Sequence, residues 1–374
     1  MGNDGRYHYT NFQWRNVIFF AVTPIIGLIL LYLHIKYEGM NYYLFIPGII
    51  MYVMTAVSIT GGYHRLFSHR AYRANKIVKL FYLIFGAAAF QETVLKWATD
   101  HRRHHHKVDS DEDPYSINKG FFYAHIGWIF LNEEEQYKDK YEKDLLNDPL
   151  VMWQFRNYIL IGSLVGFVLP LAIGFAMGSP LGALAIVGVL RMVFWHHSTF
   201  LINSACHYWG KQPYTDKNTA KDSVILAIFT MGEGYHNFHH YFQADYRNGI
   251  KWSHWDPTKW LIKFFSLIKF ADRLVVTPDL EITKARLRMD RLRLEKSIAG
   301  RHLPTLDEMK EKVQGAQKQL QSLKLEYKRL KDKSFDNKKQ QINELKVNIK
   351  LAQIEFQNQY SQWKYFIKSY PSLA

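Results

Sequence analysis

Trp97-Ala-Thr-Asp-His101-Arg-Arg-His104-His105 is the stretch on which the reading of this chain turns. Histidines at i, i+3 and i+4 lie within about one quarter of a helix circumference, so a helix here carries three imidazoles on one face. The same spacing returns at His236-Asn-Phe-His239-His240. A third cluster, His64-Arg-Leu-Phe-Ser-His69, sets its pair at i and i+5, which a regular α-helix splays apart. Gly61 and Gly62 just before it predict a frayed or bent helix. His207 follows Asn203-Ser-Ala-Cys. A lone histidine is more often a core or surface residue than a ligand, but three clusters with one spacing logic read as a metal-binding face. His106 continues its run off the helical face, while His34, His125, His196, His197 and His254 read as structural or supporting residues.

The chain has one cysteine, Cys206, in 374 residues. An internal disulfide and every Cys-x-x-Cys motif are excluded, so a metal must be held by histidine and carboxylate. Nitrogen-only ligation suits iron, copper or zinc. Nine imidazoles exceed the roughly four to six ligands that one ion takes, which predicts two ions. A redox pair of irons gives so many neutral ligands a purpose, since two metals together can reduce oxygen and attack an unactivated C–H bond.

Working outward, the histidines are flanked by apolar segments of nearly the roughly 20 residues that cross a hydrocarbon core. These are 16–35, 42–61, 159–177 and 181–202, the last two joined by Gly178-Ser179-Pro180 in a tight turn. The mean hydropathy of −0.23 hides them, because the tail is strongly polar. A fifth apolar run, Leu80 to Phe90, is too short to span and reads as buried or interfacial. That leaves everything from His64 to about Tyr158 on one side. The polar start Met1 to Gln13 precedes a long first span with no appearance of a cleaved signal. Short, nearly uncharged loops on the opposite side place the Lys- and Arg-rich segments and both termini in the cytoplasm, of a bacterial inner membrane or the endoplasmic reticulum. Trp14, Tyr32, Tyr37, Tyr42 and Tyr43 fall where interfacial aromatics belong. Arg191 lies deep in the last span, a functional pointer that a partner inside the bundle would also explain.

Residues 1–283 therefore read as a membrane domain, 284–303 as a basic linker and 304–374 as a separate C-terminal unit. From Lys284 to Ala374 there are 21 Lys and Arg against 10 Asp and Glu, which supplies +11 of the +15 net charge. No zinc-finger or RNP pattern supports nucleic acid; an anionic membrane surface or a solvated face fits better. Pro304-Thr-Leu-Asp-Glu308 offers a capping box, and apolar residues from Leu306 to Leu330 recur in steps of three and four. After a polar break, Ser334-Phe-Asp-Asn337, a second seam runs from Ile342 to Trp363, which predicts an antiparallel helical hairpin or a coiled coil.

From roughly Phe45 to Val276 the chain resembles the membrane acyl-CoA desaturase family, in particular the stearoyl-type enzymes that act at carbon nine. The resemblance rests on Gly62-Tyr-His-Arg-Leu-Phe-Ser-His69, on Ala89-Phe-Gln91 ahead of Trp97 to His105, and on Gly120-Phe-Phe-Tyr-Ala-His-Ile-Gly-Trp128. Asn203 to His207 and Gly232-Glu-Gly-Tyr-His-Asn-Phe-His-His240 complete it. It implies an all-α membrane protein of four spans, with a cytosolic helical cap around a narrow bent acyl tunnel. One Fe2+ would be held by His64, His69, His101, His105 and His239. The other would be held by His104, His207, His236 and His240, with Asn203 reaching it through water. Oxygen is the implied co-substrate and a long-chain acyl thioester the substrate. Two electrons come from a separate donor, a b-type cytochrome, ferredoxin or flavoprotein, since no His-Pro-Gly-Gly motif is present in the chain. Trp97, Asp100, Arg102 and Arg103 are the expected substrate-binding residues.

One departure bears on the acyl carrier. Family members place a basic pair where this chain has Asn132 and Glu133, followed by Glu134 and Glu135, and an acidic stretch repels coenzyme A phosphates. Coenzyme A remains favoured, with acyl carrier protein or a whole lipid as alternatives; Arg102, Arg103, Lys107 and Lys119 are the substitute charges. A related di-iron hydroxylase of lipids or alkanes shares the chemistry but spaces its first two clusters differently. A histidine-rich metal transporter would want ionisable residues distributed along its spans, whereas here the ligands cluster at one membrane face with few polar groups along the helices.

Overall fold

The computed structural model describes residues 12–132, 140–297, 304–332 and 338–369, and is mostly helical. Four helices are long and apolar enough to cross a membrane: Trp14–Tyr37, Tyr42–Ser68, Pro149–Ala176 and Pro180–Tyr208. The first is apolar all round. Ile18, Ile25 and Leu28 of this helix are more than half exposed, an arrangement that suits lipid and that water would penalise. The fifth apolar run forms the 12-residue helix Lys76–Ala87, about 18 Å long at 1.5 Å per residue and so shorter than a hydrocarbon core. Asn75 caps its start by accepting from the Val78 N–H.

The second span does not fray at its glycines. From Ser58 to Ser68 it widens into a π-helix, in which residues five apart lie one above another. His69 N–H donates to the His64 carbonyl at 3.1 Å, and the two rings sit 4.8 Å apart. The i, i+5 pair that an α-helix would separate is thereby brought onto one face. Gly62 is needed for packing: a Cβ there would lie 2.5 Å from the Tyr82 Cβ. Tyr63 returns the contact by lying across Gly86, so the π-helix and the Lys76–Ala87 helix interlock.

Two polar contacts pin the fourth span to the turn after Lys76–Ala87. Arg191 donates to the Ala88 carbonyl at 3.2 Å, and to Thr55 at 3.0 Å; the His196 Nε2–H donates to the Ala89 carbonyl at 2.6 Å. The intramembrane arginine thus has its partners inside the bundle. At the other end of the spans, Glu38 accepts from His34 and from the Leu181 and Gly182 N–H groups, which caps the start of the fourth span. A two-residue antiparallel ribbon, Arg73–Ala74 with Ala271–Asp272, holds the chain just beyond His69 against a segment 200 residues on.

Contacts divide the chain into two compact units, one of 1–211 and 218–276, the other of 212–217 and 277–374. The second unit contains the helices Asp279–Ser297, Pro304–Asp332 and Lys338–Ser369, so much of the stretch read as a basic linker is helical. Leu287 and Leu294 from the first of these share a buried cluster with Leu306, Val313 and Trp363. Tyr214, from the short 212–217 excursion, accepts a hydrogen bond from Arg286 at 2.7 Å. Residues 1–11 of the polar start and the break at Ser334 to Asn337 lie outside the described residues.

Candidate metal centre

The helix Val94–Lys107 starts from a Thr93 cap and ends in a basic turn. It carries His101, His104 and His105 on one face, as the spacing predicts. The short helix His236–Tyr241 carries His236, His239 and His240. His64 and His69 come from the π-helix, and His207 from the end of the fourth span.

These nine meet in two groups. His64, His69, His101, His105 and His239 form one, and His104, His207, His236 and His240 the other; within each, the ring nitrogens lie within 4.8 Å of one another. In the five-histidine group Nε2 faces Nε2 at 2.9 Å for His64 and His239, 2.9 Å for His69 and His101, and 3.0 Å for His105 and His239. In the four-histidine group the spacings are 3.1 Å for His207 and His236, 3.0 Å for His236 and His240, and 3.3 Å for His104 and His240. The groups adjoin, with the His105 and His240 rings stacked at 4.3 Å.

The outer nitrogens reveal what the inner ones are for. Nδ1 of His104 lies 2.8 Å from Asp113, and Nδ1 of His64 lies 3.0 Å from Glu233. A carboxylate only accepts, so in His104 the proton sits on Nδ1 and Nε2 is left as a bare lone pair, while Glu233 sets a negative charge beside Nδ1 of His64 without hydrogen-bond geometry. Where both facing Nε2 atoms are unprotonated, lone pair meets lone pair across about 3 Å, an arrangement that a cation between them relieves. Burial, and after it the neighbouring imidazoles, push His69, His101, His105, His236, His239 and His240 well below the ordinary histidine range and keep them neutral. Neutral, buried, convergent nitrogens are the donor set that a transition metal requires.

Supporting residues that sequence reasoning passed over surround this centre. Glu233 is wholly buried; burial pushes its carboxyl up, yet His64 and Arg65 outweigh that and hold it at about 2. Arg65 donates to Glu233 at 2.9 Å and to Asp256 at 3.1 Å, and Asn248 donates to Glu233 at 2.6 Å. Nδ1 of His207 faces the Thr219 hydroxyl at 2.7 Å, which donates to Asp109 at 2.7 Å. Glu233 had a signal, standing three residues before His236. Asp109 and Asp113 had none, because an acidic run after a helix ordinarily reads as a solvated loop.

The remaining expected residues fall in several places. Trp97 stacks on His101 with ring centroids 5.0 Å apart and forms a wall of the five-histidine group. Asp100 pairs with Lys96 at 2.8 Å and with Arg103 at 3.5 Å. Arg102 is engaged by its own fold, donating to the carbonyls of Phe67 and Ser68 and to Asp144 and Glu142. Lys107 pairs with Glu112, and Lys119 donates to the Asp111 carbonyl. Asn203 is half-buried at the last turn of the helix before His207. His125 joins His197 at 3.1 Å and Ser204 at 2.9 Å, His254 stacks on Tyr235, and His106 is exposed. Asn132 is described, whereas Glu133 to Glu135 lie outside the described residues.

Helices that carry candidate membrane spans and gather nine histidines into two adjoining groups define a helical protein with a paired site able to hold metal. The profile of the fatty acid desaturase family matches residues 40–264. The chain belongs to that family. It is 44% identical over 239 residues to a probable acyl-CoA desaturase of Schizosaccharomyces pombe, covering 63% of this chain and 50% of that protein. Acyl-CoA desaturase 1 of Saccharomyces cerevisiae is 38% identical over 293 residues, covering 78% and 57%. Stearoyl-CoA desaturase 5 of Homo sapiens is 32% identical over 284 residues, covering 74% and 85%. The chain thus spans little more than half the length of its two fungal relatives.

Proposed function

We propose that this chain is an oxygen-dependent acyl desaturase that introduces a cis double bond, at carbon nine, into a long-chain acyl thioester. One observation carries the reading: two adjoining groups of buried and half-buried imidazoles converge their ring nitrogens in a member of the fatty acid desaturase family. Two bound Fe2+ ions, given two electrons and two protons from outside, supply the chemistry that converts dioxygen to two waters while one hydrogen leaves each of two adjacent carbons. The residues hold and insulate that chemistry. His64, His69, His101, His105 and His239 would hold one ion, and His104, His207, His236 and His240 the other, with Asn203 reaching it through water. Asp113 keeps a proton on the outer nitrogen of His104 and so keeps its inner nitrogen free for metal, and Glu233 sets a negative charge beside the outer nitrogen of His64. Trp97 fixes the His101 ring by stacking.

Coenzyme A is the favoured carrier, supported by the names of the relatives, with acyl carrier protein or a whole lipid next. Trp97, Asp100 and Arg103, each within a turn of a histidine, are the substrate-facing candidates. Arg102 is set aside because its donors are already used. The two electrons come from a donor of the b-type cytochrome, ferredoxin or flavoprotein class. In the proposed topology the spans carry the histidines and both termini on the cytoplasmic side, beneath a helical cap, and the C-terminal helices form an antiparallel hairpin. Expression in a host that lacks its own desaturase, with fatty-acid profiling by mass spectrometry, tests the activity and locates the double bond. No new unsaturated acyl chain in an iron-loaded, folded preparation supplied with reductant would refute it.

A further inference from the structure

The loop that follows the Val94–Lys107 helix presents two carboxylates to two histidines of the same group. Asp113, buried, faces Nδ1 of His104 at 2.8 Å and also accepts from the Tyr115 N–H at 3.2 Å. Asp109 grips Thr219 twice, accepting the hydroxyl on Oδ1 and the N–H on Oδ2, each at 2.7 Å. With its proton committed to Asp109, the Thr219 oxygen is left to accept from Nδ1–H of His207 at 2.7 Å. The direct distance from His207 to Asp109 is 4.0 Å, so the threonine completes the connection. The loop is itself braced. Asp109 N–H donates to Asp113 at 3.0 Å, Asn118 donates to the Asp109 carbonyl at 2.7 Å, and Asp109 adopts a left-handed φ of +64° that a non-glycine residue rarely takes.

Both carboxylates end on the four-histidine group; the same loop reaches the five-histidine group through Tyr115, whose hydroxyl lies 3.3 Å from Nδ1 of His101, while the carboxylate beside that group is Glu233, next to His64. We propose that Asp109, Thr219 and Asp113 are positioning residues for the four-histidine ion, fixing His207 and His104 with Nε2 inward, so that loss of one of these side-chain supports releases one metal of the two. This deepens the metal reading given above and rests on it. Partners of this kind typically change metal affinity by about 10- to 100-fold when removed.

The test uses the full-length chain purified with iron. Thr219→Val removes the hydroxyl at nearly constant shape, and Asp113→Asn removes the charge. Iron per chain, the time course of iron release to excess chelator, and Mössbauer spectra are compared with wild type. The expected result is that Thr219→Val gives up one iron about 10- to 100-fold faster than wild type, with the other iron and its spectrum retained. Asp113→Asn should act in the same direction, while Thr219→Ser and Glu112→Gln, the first keeping the hydroxyl and the second lying elsewhere on the loop, should match wild type. Parallel loss of both irons, or release at the wild-type rate, overturns the proposal. If Thr219→Val does not fold, Asp113→Asn carries the same two outcomes. Fewer than two irons in the wild-type chain would remove the metal reading first, before any variant is compared.

Discussion

The π-helix at Ser58–Ser68 and the α-helix at Val94–Lys107 solve one problem with two periodicities. Each must bring histidines onto one face, and together they supply four of the five in the first group. The α-helix does so with i, i+3 and i+4, at no cost in backbone geometry. The π-helix uses i, i+5 and needs help: Gly62 gives way to Tyr82, Gly86 gives way to Tyr63, and Gln154 donates to the Tyr63 hydroxyl at 2.7 Å. Spacing alone therefore does not declare a shared face; the neighbours decide which helix forms.

The severest challenge to this comparison is loss of a histidine from each helix. Alanine at His69 and alanine at His101 should each abolish desaturation and lower iron content while the protein stays folded by circular dichroism, and the same holds for His104, His236 and His239. Full activity in any two of these would contradict the two-group site. A sharper test deletes Leu66, which turns the His64 and His69 pair into an i, i+4 pair. If spacing were sufficient, iron would stay. The structure instead predicts its loss, because one residue fewer turns the Gly62 and Tyr63 face by about 100° away from the Lys76–Ala87 helix.

Smaller effects follow from the supports. Gly62→Ala drives a Cβ into the Tyr82 side chain and should cost about 1–3 kcal/mol, read as a lowered melting temperature in detergent. Introduced cysteines at Arg70 and Lys107, both exposed and each beyond its histidines, should react with an impermeant reagent from one side of the membrane only. Labelling from opposite sides would break the shared site. Smallest of all is Asp144→Asn. Asp144 ties the two helix ends together, pairing with Arg70 at 2.7 Å and Arg102 at 2.7 Å, and hydrogen bonds from Arg102, set against partial burial, hold its carboxyl at about 2. A depressed carboxylate stabilises the fold above its ordinary value near 3.8 and loses that contribution as pH falls through about 2. For a pair this exposed, the change should stay under about 1 kcal/mol, measured by denaturation at neutral pH.

How much was legible depends on whether the cause was local. The four apolar segments, the short fifth run and both His-x-x-His-His faces follow from periodicity, and the structure has them as four long helices, one short helix and two histidine-bearing helices. The π-helix was misread as a bend because the packing it makes is not local: Gly62 lies against Tyr82, a residue on a different helix. Glu233, Asp109 and Asp113 went unassigned for a related reason: a carboxylate becomes a histidine partner only when folding buries it there, and sequence shows the charge without the burial. Arg102 shows the converse, since a basic residue beside a histidine cluster looks free until Asp144 and two carbonyls are found around it.

Cys206 precedes a metal-group histidine and is fully buried, and it is the only cysteine in the chain. Oxygen chemistry next to a thiolate courts sulfenic acid and worse, and the damage scales with solvent access and ionisation. Here the one thiol is fully buried, out of reach of dissolved oxidants. The same sealing leaves a blank background for thiol-directed probes: a single cysteine placed on the surface becomes the one site a polar reagent can find, without first stripping the protein of its own.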